Sequence, residues 1–261
     1  MARVICPNRA RGRRCAPENG RHFNEKQARK ITRRLLRWGR DNFKHYPWRT
    51  EDDPWLSFLA EFLLQRTRAS QVASVFMTVR DKLPTAQSLA SGGLVAVNEL
   101  TSKLGLHWRG PLLLRTAEVV AACGGAPPET VVQLRSLPGV GMYTAAAWLS
   151  LHRGKRAVII DANVARWLSR MTGLPYNRDP RHVRWVKEVA ERLTPGRAFR
   201  DYNYAVLDFT MSICVPRNPN CRSCPLLKDC RYGRGLGADP SASLTLNVKV
   251  KRSRLTVNRS R

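Results

Sequence analysis

The sequence predicts a mainly α-helical protein. Apolar residues recur at helical spacing through most of the chain, and Gly and Pro punctuate these segments at intervals that suit short helices. Sustained period-2 alternation is missing; Ala157-Val158-Ile159-Ile160 is the one strand-like run and is too short to establish a sheet. A length of 261 residues suits one large domain or two modest ones with a real core.

Residues 1–22 are rich in arginine with Gly, Pro and Asn, show no periodicity, and read as a flexible basic arm. From Asn24 a polar and basic helix runs to about Phe43, with Ile31, Leu35, Leu36 and Trp38 on its apolar side. Tyr46-Pro47-Trp48-Arg49 breaks it, because proline cannot continue a helix interior. A second helix starts at Asp53-Pro54, with Asp as N-cap and Pro at the first position. Shorter helical stretches follow to Val120, interrupted by Gly92-Gly93, Gly105 and Gly110-Pro111. Further helices are expected at 142–152, 162–171, 181–193 and 201–213. After Tyr232 the composition turns to Gly, Ser and Ala. The chain ends with Lys249, Lys251, Arg252, Arg254, Arg259 and Arg261 and no acid, so 233–261 reads as a second basic, flexible tail. No internal repeat is visible.

Lys and Arg number 46 against 19 acidic residues, a formal charge of +27. Solubility needs far less, so an anionic partner is implied, nucleic acid before a membrane surface. No apolar run reaches the roughly 18 residues of a membrane span. Met1–Arg14 is basic but leads into no apolar core, unlike a secretory signal. The expected place of action is the cytoplasm, at the nucleoid. In that reducing setting seven cysteines point to metal binding or free thiols before disulfides.

Leu137-Pro138-Gly139-Val140-Gly141-Met142-Tyr143-Thr144-Ala145 lies between two helical stretches. Gly139 and Gly141 allow a tight turn and close backbone approach, and amides opening the next helix would face an anion such as a DNA phosphate. Such a contact positions a protein on DNA without reading sequence. A Gly-x-Gly turn alone also serves as a plain helix connector.

Cys214, Cys221, Cys224 and Cys230 are separated by six, two and five residues, and a single loop supplies all four. Four thiolates suit tetrahedral zinc or a four-iron cluster. Structural zinc more often uses two close pairs, whereas only Cys221 and Cys224 form one here. Pro216-Arg217-Asn218-Pro219 would hold the loop open. Cys6, Cys15 and Cys123 fall outside the pattern and read as inert or surface thiols.

Glu61 interrupts the apolar stretch Trp55–Leu64, where a partly desolvated carboxylate suits acid–base work; a helix-end cap or an arginine pair is the structural alternative. Asp161 follows Val158-Ile159-Ile160 and precedes Ala162-Asn163-Val164. It is an N-cap whose second oxygen can still face a cleft. Tyr143 stands at the mouth of the helix after the hairpin, where a core tyrosine would also be unremarkable.

Together, Leu137–Ala145, Val158–Val164 and the Cys214–Cys230 loop resemble the helix-hairpin-helix-Gly/Pro-Asp DNA glycosylase superfamily, which includes endonuclease III, adenine-DNA glycosylase and the archaeal-type thymine-DNA mismatch glycosylase. The likeness runs from about Leu35 to Tyr232, with its motifs in order. It implies an all-α fold: a six-helix barrel over 49–157, beside an iron–sulfur cluster domain built from 23–48 and 158–232. A 4Fe-4S cluster would sit on the four cysteines. An extruded nucleotide would enter the cleft, with Asp161 at the junction and the hairpin beside it.

Details choose within the superfamily. Lyase members carry Lys where this chain has Tyr143. Adenine glycosylases resemble it through Pro47-Trp48-Arg49 and Glu61, but typically have Ser at position 143, Gln at 66 and Gly at 162. Thymine mismatch glycosylases resemble it at Arg66-Thr67, Tyr143 and Asp161-Ala162-Asn163. The chain ends soon after the cysteines, so the extra domain with which adenine glycosylases sense 8-oxoguanine is not expected. The basic arms and Gly105-Leu106-His107-Trp108-Arg109 depart from the pattern; that loop is a candidate for the wedge inserted into a duplex.

The implied reaction is hydrolysis of the N-glycosidic bond of thymine or uracil opposite guanine in double-stranded DNA, by a monomer and without strand cleavage. The base is flipped out of the stack, and ionised Asp161 stabilises the cationic sugar or orients water. Glu61 handles protons or hydrogen-bonds the pyrimidine, and Tyr143, which is not an amine, contacts base or sugar without forming a Schiff base. Gln65 and Arg66 are candidates to fill the vacated stack or touch the opposite guanine. Two rival readings stay open: adenine removal opposite guanine or 8-oxoguanine, and a catalytically silent DNA-binding module.

Overall fold

A computed structural model of the chain describes residues 23–238, except 106, 177, 178, 180 and 181. The predicted arm over 1–22 and the tail beyond 238 lie outside the described residues. What is described is helical, with no strand, and 157–160 has no regular structure.

Local chemistry explains where the helices begin. Helix α1 (Glu25–Asn42) opens with a reciprocal capping box between Asn24 and Gln27. Helix α2 (Pro54–Leu63) starts as expected, with the Asp53 carboxylate accepting from the Leu56 amide and Pro54 at its first position. Helices α3 (Ala69–Lys82), α4 (Ala86–Ser102), α5 (Gly110–Ala122), α6 (Val131–Ser136) and α7 (Met142–His152) complete a six-helix unit with α2. Helix α8 (Ala162–Thr172) is capped by Asp161 and stopped by Gly173 at φ +72. Helices α9 (Arg184–Leu193), α10 (Phe199–Ser212) and α11 (Arg231–Ala238) follow. Helix α9 begins at Arg184 rather than 181, because Val183 is buried at its N-cap. Helix α11 extends through Ala238, beyond the expected start of the tail at 233. Gly233 makes this possible, since a Cβ there would stand 2.7 Å from Leu227 Cδ1.

The side chains bury in two cores and a seam. The first core gathers Trp48, Trp55, Phe58, Phe62, Phe76, Leu89, Leu113, Leu134 and Trp148 from the six-helix unit and its approach. The second gathers Ile31 and Leu35 of α1 with Val164, Trp167, Leu168, Val186, Leu193, Phe209 and Leu226. Helix α1 therefore packs with segments more than a hundred residues later in the chain; Gly39 lets it approach α10 closely, since an added Cβ would lie 2.6 Å from that of Ala205. Between the cores Ala147, Leu151, Ile159 and Tyr204 form the seam, with Phe43, Tyr143 and Leu207 packed on it. Arg49 bridges it electrostatically, with a bidentate pair to Asp208 at 2.7 and 2.8 Å, both side chains almost fully buried.

Candidate active site

Helices α2 and α7 meet along matched positions. The Trp148 indole Nε1 donates to Ser57 Oγ at 3.1 Å, and one turn further along both helices His152 Nε2 lies 3.0 Å from Glu61 Oε1. Residues four apart share a helix face, so the first pair sets the register of the second. Phe58, edge-on to Trp148 at 5.6 Å, fills the space beside them. Glu61 is thereby held in a dry setting, its side chain 4% exposed and that of His152 1%.

Asp161 is held differently. Its Oδ1 caps α8 by accepting from the Val164 amide at 2.7 Å, and its Oδ2 accepts from Asn163 Nδ2 at 2.7 Å. Asn163 Oδ1 in turn accepts from Arg166 at 2.9 Å, and Arg166 also donates to the carbonyls of Thr210 and Cys214. The segment leading into Asp161 is pinned by Asn203, which donates to Ser150 Oγ at 2.6 Å and to the Ala157 carbonyl at 3.1 Å. Asp161 thus stands between the seam and the cysteine loop.

Tyr143, at the start of α7, draws the two acids into one site. Burial pushes its phenol well above the usual range, and the nearby carboxylates of Asp161 and then Glu61 push it the same way. It therefore stays a neutral hydroxyl, able to donate a hydrogen bond. Tyr204 of α10 is raised by burial first and then by Glu61, with the Arg200 and Arg49 guanidiniums acting the other way.

The hairpin gives its two glycines separate tasks. Gly139 has φ +75, and a Cβ there would sit 3.1 Å from the Phe62 ring and 3.3 Å from Leu112. Gly141 has φ −92, and nothing lies within 4 Å of the place its Cβ would occupy. It opens α7 with no side-chain cap, leaving the first-turn amides for an outside acceptor. Gln65 ties the end of α2 to this turn by donating to the Gly139 carbonyl at 3.3 Å. Arg66 has φ +60, a strained conformation for a residue with a Cβ. Buried Arg109 bonds to the Gln65 side chain, and burial followed by repulsion from Arg66 lowers its proton affinity. Exposed Trp108 lies under both guanidiniums, 4.9 Å from that of Arg109 and 6.0 Å from that of Arg66.

The four cysteines fall outside this constellation, on the loop that closes the second core. Burial raises the thiols of Cys221, Cys224 and Cys230, that of Cys224 to about 12, and the neighbouring thiols raise them further. Cys221, Cys224 and Cys230 are each raised by the neighbouring Cys214. Arg170 donates to Cys214 Sγ at 3.4 Å and to the Val215 and Pro216 carbonyls, while the Gly233 amide donates to Cys230 Sγ at 3.5 Å. Lys30 and Arg34 of α1 clasp Asp229, beside Cys230. Among the described residues no three His, Cys, Asp or Glu side chains are gathered tightly enough for one metal ion. Cys123 is exposed and unpaired; Cys6 and Cys15 lie outside the described residues.

His152, Tyr204 and Arg166 were not singled out from the sequence, and Asn163 and Arg109 were named only as members of longer motifs. Asn163 and Arg166 carried a signal, being two and five positions after Asp161. His152 carried only a faint one, as the polar end of an apolar helix.

The chain belongs to the family described as HhH-GPD superfamily base excision DNA repair protein, which matches residues 59–192 and so spans Glu61, the hairpin and Asp161. It is 33% identical to a thymine/uracil-DNA glycosylase of Methanothermobacter thermautotrophicus over 80% of this chain and 95% of the relative. A thymine-DNA glycosylase of Aeropyrum pernix is 35% identical over 77% of this chain and 93% of its own length. The solved structure of a thermostable thymine-DNA glycosylase superposes with a TM-score of 0.75 and 32% identity, covering 80% of this chain and 98% of that one. Among the described residues no helix is long and apolar enough to cross a membrane.

Proposed function

We propose that this chain is a monofunctional DNA glycosylase that removes thymine or uracil mispaired with guanine. The observation that carries the reading is that the Asp161 and Glu61 carboxylates both act on the buried Tyr143 phenol, in the first turn of the helix that Gly141 opens without a side-chain cap. The relatives named for thymine and uracil support the same substrate class. Double-stranded DNA is the partner, held through Gly139-Val140-Gly141 and the excess of basic charge. The division into a barrel over 49–157 and a second domain from 23–48 and 158–232 is supported by the two separate cores.

A flipped pyrimidine enters between α7 and the start of α8, the mispair having lowered the cost of unstacking. As the C1′–N1 bond breaks, its electrons leave with the base and the sugar becomes cationic. Asp161, its two oxygens held by the Val164 amide and Asn163, offsets that charge and aligns water. Glu61 serves the proton that the departing base takes up. Tyr143 has no amine, so water rather than the protein adds to C1′ and the strand stays intact. Gln65, Arg66 and Trp108 face the duplex from the end of α2 and the neighbouring loop.

Cys214, Cys221, Cys224 and Cys230 would hold a 4Fe-4S cluster. The donor set fits: burial and neighbouring thiols raise Cys221, Cys224 and Cys230, which need a compensating cationic centre to ionise, and a four-iron cluster separates its thiolates more widely than one tetrahedral ion does. Such a cluster supplies cross-linking of the loop, and Arg166 and Arg170 anchor that loop to α8.

The test is incubation of purified protein with G·T, G·U, G·A and 8-oxoG·A duplexes, with and without alkali. Pyrimidine release opposite guanine, with strand breaks only after alkali, is expected. Release of adenine with thymine untouched would overturn the specificity and keep the glycosylase; binding without release of any base would leave a silent DNA-binding module.

A further inference from the structure

We propose that His152 is the proton-holding partner of Glu61, and that the buried pair shares one ionisable proton, which fixes the charge on Glu61 and sets the pH window of base release. The inference rests on the glycosylase reading for its kinetic consequence, but the pairing itself does not.

The geometry leaves few alternatives. His152 Nε2 and Glu61 Oε1 are 3.0 Å apart, with both side chains almost wholly removed from water. Each element packed around them contributes charged or titratable groups. From α7 come Tyr143 and Arg153; Arg153 is committed to Glu129 at 2.6 Å. From the start of α8 comes Asp161, a second negative charge. From α10 come Tyr204, Arg200 and Asp208; Arg200 donates to the Arg49 carbonyl, and Asp208 is spent on Arg49. Among the described residues His152 is therefore the partner that contacts the Glu61 carboxylate directly.

Three proton counts are available to the pair. With a neutral imidazole and an ionised Glu61, an unbalanced carboxylate would be buried near Asp161, which is unfavourable in a dry site. With both groups protonated, the attraction between them is lost. One shared proton leaves the pair neutral and hydrogen-bonded. His152 Nδ1 has no hydrogen-bond partner, so the imidazole is oriented by Glu61 and not from its far side.

In the reaction the proton leaves the pair for the departing pyrimidine as the C1′–N1 bond breaks and its electron pair passes to the base. Water then forms the C1′–O bond and returns one proton to the pair. The protein ends each turnover in its starting state, and the net reaction consumes only water. His152 does not touch the substrate in this scheme; it is a positioning residue acting through Glu61.

The experiment has two arms on the full-length protein. Ring resonances of 15N-labelled histidines, with His152 assigned by its loss in His152→Gln, are titrated in wild type and in Glu61→Gln. His152 should retain its proton to a pH at least one unit higher in wild type; an identical midpoint in both proteins overturns the proposal. Single-turnover pyrimidine release is then followed against pH. His152→Gln keeps a donor toward Glu61 but holds no ionisable proton. It should slow release at least tenfold near neutrality and displace the alkaline limb, with duplex affinity unchanged. Wild-type rate and pH profile in His152→Gln would equally overturn it. If wild type releases no base from any duplex, the glycosylase reading fails, while the histidine titration still decides the pair.

Discussion

Glu61 and Asp161 flank the same tyrosine, yet the protein treats the two carboxylates differently. Glu61 lies mid-face on an apolar helix, with an imidazole as its close partner and almost no exposure. Asp161 lies at a helix mouth, with one oxygen on a backbone amide and the other on an amide side chain that leads on to Arg166. A carboxylate in the first setting is suited to exchange a proton. In the second, both oxygens are held in place by hydrogen bonds. In the proposed reaction, placing both beside Tyr143 combines an acid–base group with a fixed carboxylate in one site.

The sharpest break of this comparison is Asp161→Asn. Asparagine caps a helix about as well as aspartate, so melting should be unchanged. Base release should fall by at least about a hundredfold, the scale of losing one preorganised charge-stabilising group, with duplex binding preserved. Single-turnover kinetics and a binding titration check both halves. Glu61→Gln should follow, lowering release by about 10²-fold with Asp161 intact. Equal losses with identical pH profiles in the two variants would show that the carboxylates do not divide the work.

Tyr143→Lys probes the space between them. An amine there should yield a covalent DNA adduct trappable by borohydride together with some strand cleavage; wild type should give neither. The hairpin supplies a smaller pair of effects. Gly139→Ala combines a left-handed φ with contacts to Phe62 and Leu112, and should cost about 1–3 kcal/mol in urea unfolding. Gly141→Ala meets open space at φ −92, so stability should hold within about 0.5 kcal/mol. Its methyl group should still weaken DNA affinity, measured by fluorescence anisotropy, if a phosphate approaches there. Equal unfolding curves for the two alanine variants would erase the separation of packing from access.

What could be read from the sequence were features closed within a few residues. The Asp53-Pro54 start, the Asp161 cap and the Gly139–Gly141 turn are contacts between residues three or four apart, so their chemistry is spelled out in order. The match of the barrel to the superfamily was legible for the same reason, since its motifs are local and collinear. The Glu61–His152 and Ser57–Trp148 pairs join residues 91 apart, and Arg109 reaches residues 44 and 47 positions away. Only packing of whole helices brings such partners together, and composition gives no sign of it. The extent of α11 was missed because a glycine-rich run reads as a helix breaker. Here Gly233 lies against Leu227, and close packing outweighs weak intrinsic propensity.

The return of α1 to a core built mostly by the far half of the chain has a consequence for synthesis. The first core is almost contiguous, from Trp48 to Leu149, and can condense as soon as that stretch has left the ribosome. Helix α1 emerges earlier, yet its partners Trp167, Leu193 and Phe209 and its clasp on Asp229 arrive last; the Lys30–Asp229 contact spans 199 residues. Its apolar stripe must wait, exposed, while the intervening unit folds, paying loop-closure entropy at the end. Maturation of the nascent chain should therefore proceed middle first and ends last, with the cysteine loop as the latch that shuts over the oldest helix.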